Sequence, residues 1–342
     1  MSTRSFVLRP APPFRLDFTV WALRRRAQNT IDRWVGRSYR RALLLDGTPF
    51  ELSVAQTGQT AAPRLEVDLR GPRLTSATEE AARSALARLL GLEVDLSGFH
   101  VRAGRDPALR KLAGRYRGVK PPRFPTLFEC LLNAVACQQL SLAAGLTLLS
   151  RLAATSGRAT GALHAFPDPA DVVGLRRSAL TATGLSARKA ETIHELAAAA
   201  VAGDLGFGTL EPLDDTAVVE ALVRRPGIGR WSAEYVLLRG LGRLHVFPHG
   251  DVGALNGLRS FLAAAGHDDD PRSALTRWAP DAGLVYFHLL LRGLEQQAAR
   301  SGSAETVWKA SAQSRAGADV SARHQLSSSG SKPLSSRQST VR

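Results

Sequence analysis

The stretch Leu222-Val-Arg-Arg-Pro226-Gly227-Ile228-Gly229-Arg230-Trp231-Ser-Ala-Glu-Tyr235, taken with Val246-Phe-Pro-His-Gly-Asp251 downstream, decides how the rest of the chain is read. Asp215, Thr216, Val218, Val219, Leu222 and Val223 give a short helix with an aspartate at its start and apolar residues at helical spacing. Pro226 stops it, because proline disfavours the helical region for the residue before it. Gly227-Ile228-Gly229 then permits a tight turn in which either glycine can take a positive φ or let another backbone approach closely. From Arg230 the pattern is helical again, through Trp231, Tyr235, Leu237 and Leu238 to a stop near Gly240. The spacing predicts helix, glycine hairpin, helix. Such a hairpin directs unpaired amide N–H groups outward where the dipole of the second helix also favours an anion. A nucleic-acid phosphate fits there without any base being read.

Composition agrees with a polyanionic partner. The formal net charge is +15, and residues 301–342 hold six Lys/Arg against two Asp/Glu, so most of the excess lies on residues 1–300. An Arg- and Ala-rich coding bias would produce the same excess, so charge by itself does not decide the matter. A chain of 342 residues suits two domains and has length for a sizeable core. Cys130 and Cys137 are its two cysteines, too few for a disulfide framework or a four-cysteine iron–sulfur site, and their spacing on one predicted helix suits core residues. The sequence has no apolar run of membrane-spanning length and no signal-peptide pattern at its start, so a soluble, cytoplasmic protein is expected, nucleoid-associated through DNA.

Ahead of the hairpin the chain reads as two parts. Residues 1–20 look irregular until Phe14-Arg-Leu-Asp-Phe18, and a helix is expected to open at Trp21-Ala-Leu-Arg24-Arg25-Arg26, whose arginines suit either phosphate contact or a solvated face. Residues 41–46, 50–56 and 63–70 alternate apolar and polar positions between glycines and prolines, which predicts strands, with Leu65, Val67 and Leu69 on one face. A helix follows at about 77–90, with Ser76 and Glu79 at capping-box spacing and Gly91 to close it. From Asp106 onward the pattern is helical. Pro125-Thr126-Leu-Phe-Glu129 starts a long apolar helix that runs to Cys137-Gln138-Gln139-Leu140-Ser141, and its glutamines need partners. Ser186 caps a helix running to about Gly203, on which Lys189 reads as a surface or backbone-facing cation. Trp278-Ala-Pro280 leads into a closing helix containing Tyr286 and His288. Beyond Arg300 the Ser-, Gly-, Ala- and Arg-rich composition predicts a disordered tail.

Residues 10–300 resemble the DNA-3-methyladenine glycosylase II family of the helix-hairpin-helix DNA glycosylases. The resemblance rests on the Gly-Ile-Gly hairpin, the aspartate twenty-two residues after Gly229, the Gln-Gln-Leu-Ser segment 138–141, the Gly-Leu-Ser-Ala-Arg-Lys-Ala segment 184–190 and the Trp-Ala-Pro start of the closing helix. The match is good in the helical part and architectural in the first. It implies an α+β protein: an N-terminal mixed α/β module over 1–112, an all-helical hairpin-bearing glycosylase domain over 113–300, and the tail over 301–342.

The family excises alkylated purines, of the 3-methyladenine and 7-methylguanine type, from double-stranded DNA by flipping the damaged nucleotide into a pocket. Carried onto this sequence, Gly227, Ile228, Gly229 and Arg230 grip the DNA backbone, and Gln139, with Leu140 as runner-up, fills the gap left by the extruded nucleotide. Trp231 and Tyr235, four apart on one helix face, wall the base pocket together with Trp21. The alternative for Trp231 is simple core packing. Asp251 is the implied catalytic carboxylate, since cleaving an N-glycosidic bond builds positive charge on the sugar and an adjacent carboxylate stabilises it.

Trp231 stands where strand-cleaving relatives carry a Schiff-base lysine, so a monofunctional enzyme is expected; a monomer is expected as well. No cofactor, metal or iron–sulfur cluster is expected beyond a monovalent cation that the resemblance allows at the hairpin carbonyls. His245 and His249, in a loop with Pro248 and Gly250, are not expected to hold a metal. Val252, Gly253 and Leu290 depart from the bulkier or aromatic residues of the family and imply a roomier pocket. Two other functions fit the same residues. One is a glycosylase for deaminated or oxidised bases; the other is a non-catalytic DNA-binding module in which Asp251 is only a helix cap.

Overall fold

The computed structural model describes residues 2–266 and 270–301. Its N-terminal part is an antiparallel sheet of β1 (Ser2–Leu8), β2 (Arg33–Val35), β3 (Ser38–Leu45), β4 (Thr48–Gln56) and β5 (Leu65–Gly71), in the order β1-β5-β4-β3-β2. Leu52 pairs with Leu69 and Val54 with Val67, so the alternating apolar positions of β4 and β5 fall on one face. That face packs on α1 (Leu16–Arg24) and α2 (Ser76–Leu90) through Val20, Leu23, Leu86 and Leu89.

The chain start departs from the expected irregularity. Residues 2–8 pair with β5 along their whole length, and α1 begins five residues before Trp21. β1 is an edge strand in which Phe6 alone is buried, so it lacks a buried alternating face and its sequence carries no period-2 signal. The cap of α2 also differs: Thr75 and Thr78 form the capping box, while Glu79 pairs with Arg83 and Arg4.

Helices then dominate. They are α3 (Ser97–Ala103), α4 (Pro107–Arg115), α5 (Leu127–Cys137), α6 (Leu142–Ser156), α7 (Pro169–Val173), α8 (Arg177–Ala182), α9 (Ala187–Val201), α10 (Phe207–Leu210), α11 (Asp215–Val223), α12 (Arg230–Val236), α13 (Val252–Ala264), α14 (Pro271–Arg277) and α15 (Ala282–Ser301). A short ribbon, β6 (Ala159–Thr160) with β7 (Leu163–His164), interrupts them where only helix was expected. α5 is buried from Leu127 through Ala136, and an apolar helix with no solvent face must sit at the centre. Around it lie Leu149 of α6, Ile193 and Leu196 of α9, and Val236 of α12.

Thr126 caps α5 through the Glu129 amide, but the Glu129 side chain turns away from the cap to Arg41 of the sheet. Arg41 also binds Asp32 at 2.8 Å, so a fully buried guanidinium between two carboxylates joins the sheet to the central helix. Residues up to Gly293 form one unit, and the chain from Leu294 belongs to a second, of which residues 294–301 are described. Of the tail expected over 301–342, Ser301 closes α15 and the rest lies outside the described residues.

Candidate active site

The hairpin forms between α11 and α12, but its two glycines have different duties. Gly227 takes φ +79°, and a β-carbon there would fall 2.1 Å from Thr192 Oγ1 on α9, so both conformation and space demand glycine. Gly229 is extended and has open space around the position of its missing side chain. Ile228 between them is buried in the helical core, while Arg230 projects outward with its Nε 2.9 Å from Glu234. Asp214, one residue earlier than expected, caps α11. Beyond α12 the helix does not stop at Gly240. It widens into a π-helical turn over Leu237–Leu241, closed by Gly242 at φ +78°.

Gln138 finds the partners that a half-buried amide needs. Its Nε2 donates to the Gly227 carbonyl at 3.0 Å and to Ser232 Oγ at 2.9 Å. Lys189 donates to the carbonyls of Ala136 and Gln138 at the end of α5, so it faces backbone. These bonds fix the turn that follows, in which Gln139 has φ +54° and is exposed, Leu140 is 45% exposed, and Ser141 caps α6. The two wedge candidates therefore stand on a turn pinned to the hairpin.

Asp251 ends the loop from Arg243 and caps α13. Its Oδ1 accepts the Ala254 amide at 2.8 Å and its Oδ2 accepts the Tyr286 hydroxyl at 3.1 Å. The loop is seated on α12: Glu234 Oε2 accepts the His249 amide, and a β-carbon on Gly250 would lie 3.0 Å from that of Trp231. Half-buried Trp231 and buried Tyr235 stand 5.5 Å apart at 36°, with Phe124 6.1 Å beyond. The hairpin helix thus brings the aspartate loop and the aromatic pair to one place.

Sequence reasoning missed the groups behind these rings. Arg25 is neither a phosphate contact nor part of a solvated face. The helix ends at Arg24, so Arg25 turns inward at φ 61°, donating to Asn133 Oδ1 at 2.7 Å and to the Tyr235 hydroxyl at 3.3 Å. Burial opposes its charge, but Tyr235, Cys137, Tyr286 and Asp32 hold its pKa above the usual arginine value. Buried Arg239, on the π turn, lies 5.3 Å from the Phe124 and Phe287 rings and 5.8 Å from Tyr235, and donates to the Ala22 carbonyl. Trp21 is buried on the last turn of α1, where its carbonyl accepts the Arg25 amide. Leu290 is half-buried, and one turn earlier on the same helix stands the ring of Tyr286.

His245 binds Asp215 at 2.6 Å, and Asp215 also accepts from Arg243. His249 enters the structure through its amide. Among the described residues no group of three or more His, Cys, Asp or Glu is arranged to hold a metal ion, and no helix is long and apolar enough to cross a membrane. A cleft of about 590 Å³ beside the hairpin is lined by Arg230, Glu234, His245, Phe247 and His249; Asp251 does not line it.

Residues 132–280 match the family described as HhH-GPD superfamily base excision DNA repair protein. The chain is 30% identical over 181 residues to DNA-3-methyladenine glycosylase 1 of Schizosaccharomyces pombe, covering 53% of this chain and 76% of that protein. It is 27% identical to DNA-3-methyladenine glycosylase 2 of Escherichia coli over 71% of this chain and 83% of that one. Its fold is similar to that of the 3-methyladenine DNA-glycosylase from Archaeoglobus fulgidus, with a TM-score of 0.70 and 24% identity, over 84% of this chain and 97% of that one.

Proposed function

Because the chain belongs to the DNA-3-methyladenine glycosylases of the helix-hairpin-helix superfamily, we propose that it excises N3- and N7-alkylated purines from duplex DNA as a monofunctional, monomeric enzyme with Asp251 as its catalytic carboxylate. One observation carries the assignment: Asp251 sits at the end of a loop packed onto Trp231, so a carboxylate and a pair of tilted rings share one site. A flipped alkylpurine is cationic, stacks on the rings of Trp231 and Tyr235, and leaves readily because its charge is neutralised on departure. As the glycosidic bond lengthens, positive charge develops on the deoxyribose. The fixed negative charge of Asp251 stabilises it and orients the water that completes hydrolysis.

The hairpin residues Gly227 to Arg230 clamp the DNA backbone, and Gln139 or Leu140 enters the stack behind the flipped nucleotide. Trp21 closes the base pocket from α1. Absence of lyase chemistry follows from Trp231 in the place of a Schiff-base lysine. Lys189 does not substitute for it, because its ammonium is engaged with the carbonyls that end α5.

The test is release of 3-methyladenine and 7-methylguanine from methylated duplex DNA by the purified chain and its Asp251→Asn variant, with strand scission followed in parallel. We expect release by the wild type without scission, and a loss of about a hundredfold or more in the variant with DNA binding retained. Undiminished release by Asp251→Asn would refute the assignment.

A further inference from the structure

We infer that Tyr286 is a positioning residue for this reaction, its hydroxyl fixing the orientation in which the Asp251 carboxylate meets the deoxyribose. The inference rests on the reading of Asp251 as the catalytic carboxylate.

Capping α13 needs one oxygen of Asp251, and Oδ1 supplies it to the Ala254 amide. The bond from Tyr286 to Oδ2 is surplus to that duty and comes from a helix 35 residues away. Two donors on two oxygens, from two elements, remove the rotation of the carboxylate that a cap alone would leave. Each oxygen keeps acceptor capacity for a water or a polarised sugar.

The phenol is itself held. Phe247 meets it edge-on at 5.6 Å and 79°, and Phe287 at 5.7 Å and 89°. Phe247 stands midway along the loop that Asp251 ends, so one tyrosine fastens that loop at its middle and at its end. Tyr286 is 7% exposed, and a hydroxyl so enclosed needs a partner. Burial first, then the Asp251 charge, pushes its pKa well above the ordinary tyrosine value, so it is a donor at neutral pH. Stabilisation of a charge that exists only in the transition state depends on placement within a fraction of an ångström, so loss of this donor falls on the chemical step.

The experiment compares Tyr286→Phe with wild type and Asp251→Asn on methylated duplex DNA, measuring single-turnover release, DNA affinity and unfolding temperature. Phenylalanine keeps both ring contacts and removes only the donor. The expected result is release slowed roughly tenfold, with affinity within about twofold and unfolding unchanged. Release at the wild-type rate, or a loss matched by weaker DNA binding or lower stability, would overturn the positioning role while Asp251-dependent release still upheld the enzyme. No release from the wild type would overturn both.

Discussion

The cap that Asp251 makes on α13 is compatible with the catalytic role proposed for it. Oδ1 serves the start of the helix, and both oxygens retain acceptor capacity toward a sugar or a water. Charge is refused at His288, which is fully buried on α15 and donates from Nδ1 to the Leu284 carbonyl. Burial, with His100 nearby, lowers its pKa to about 4, against an ordinary value of 6.5. Below pH 6.5 the unfolded chain takes up a proton there that the folded chain refuses, so stability falls as pH falls and the loss is complete near pH 4. We expect this residue to cost about 2 kcal/mol between pH 7 and pH 5. Urea unfolding across that range should lose less stability in His288→Asn than in wild type, since asparagine has no proton to take up.

The hairpin behaves as one element because α9, α5 and α12 all hold it. Thr192 fills the space a side chain at Gly227 would need, and Gln138 ties the Gly227 carbonyl to the end of α5. With the hairpin clamping DNA as proposed, the two glycines are expected to separate folding from binding. Gly227→Ala should lower stability by roughly 1–3 kcal/mol, from positive φ and the Thr192 overlap together, as read by urea unfolding. Gly229→Ala should stay within about 1 kcal/mol of wild type yet weaken DNA by a similar factor on every sequence, because the added methyl meets backbone and no base. Fluorescence anisotropy on several unrelated duplexes checks this; a loss confined to particular sequences would contradict a backbone clamp.

At the scale of the whole molecule, sheet and helices are joined by a charge network as well as by apolar packing. Arg41, fully buried on β3, lies between Asp32 and Glu129 of α5. Burial and its carboxylate partners pull in opposite directions on that guanidinium, and the carboxylates prevail, holding its pKa well above the usual arginine value. Arg41→Ala would leave two buried carboxylates facing an empty space. A loss of about 3–5 kcal/mol is expected, readable as a lowered midpoint in thermal or urea unfolding. The same helix carries Asn133 and leads directly into Gln138, so the network also sets the frame on which Tyr235 and the hairpin rest.

The sequence by itself determined the hairpin, three strands of the sheet, the central apolar helix and the identity of the candidate carboxylate. Each is written in a window of a few residues: a Gly-Ile-Gly between two helical periods, an alternation of Leu65, Val67 and Leu69, an aspartate ahead of a helix. The resemblance supplied roles for Asp251, Trp231 and Gln139 on the same short motifs. Only the tertiary structure decided that residues 2–8 are a strand, because an edge strand is made by its partner 60 or so residues away and needs no period of its own. It alone turned Arg25 from a surface cation into a buried donor to Tyr235, across 210 residues, and brought Tyr286 to Asp251. Local signals arise from backbone sterics and periodicity, which any short segment carries within itself. Buried polar partners arise from desolvation, which no segment meets until the whole chain has closed around it.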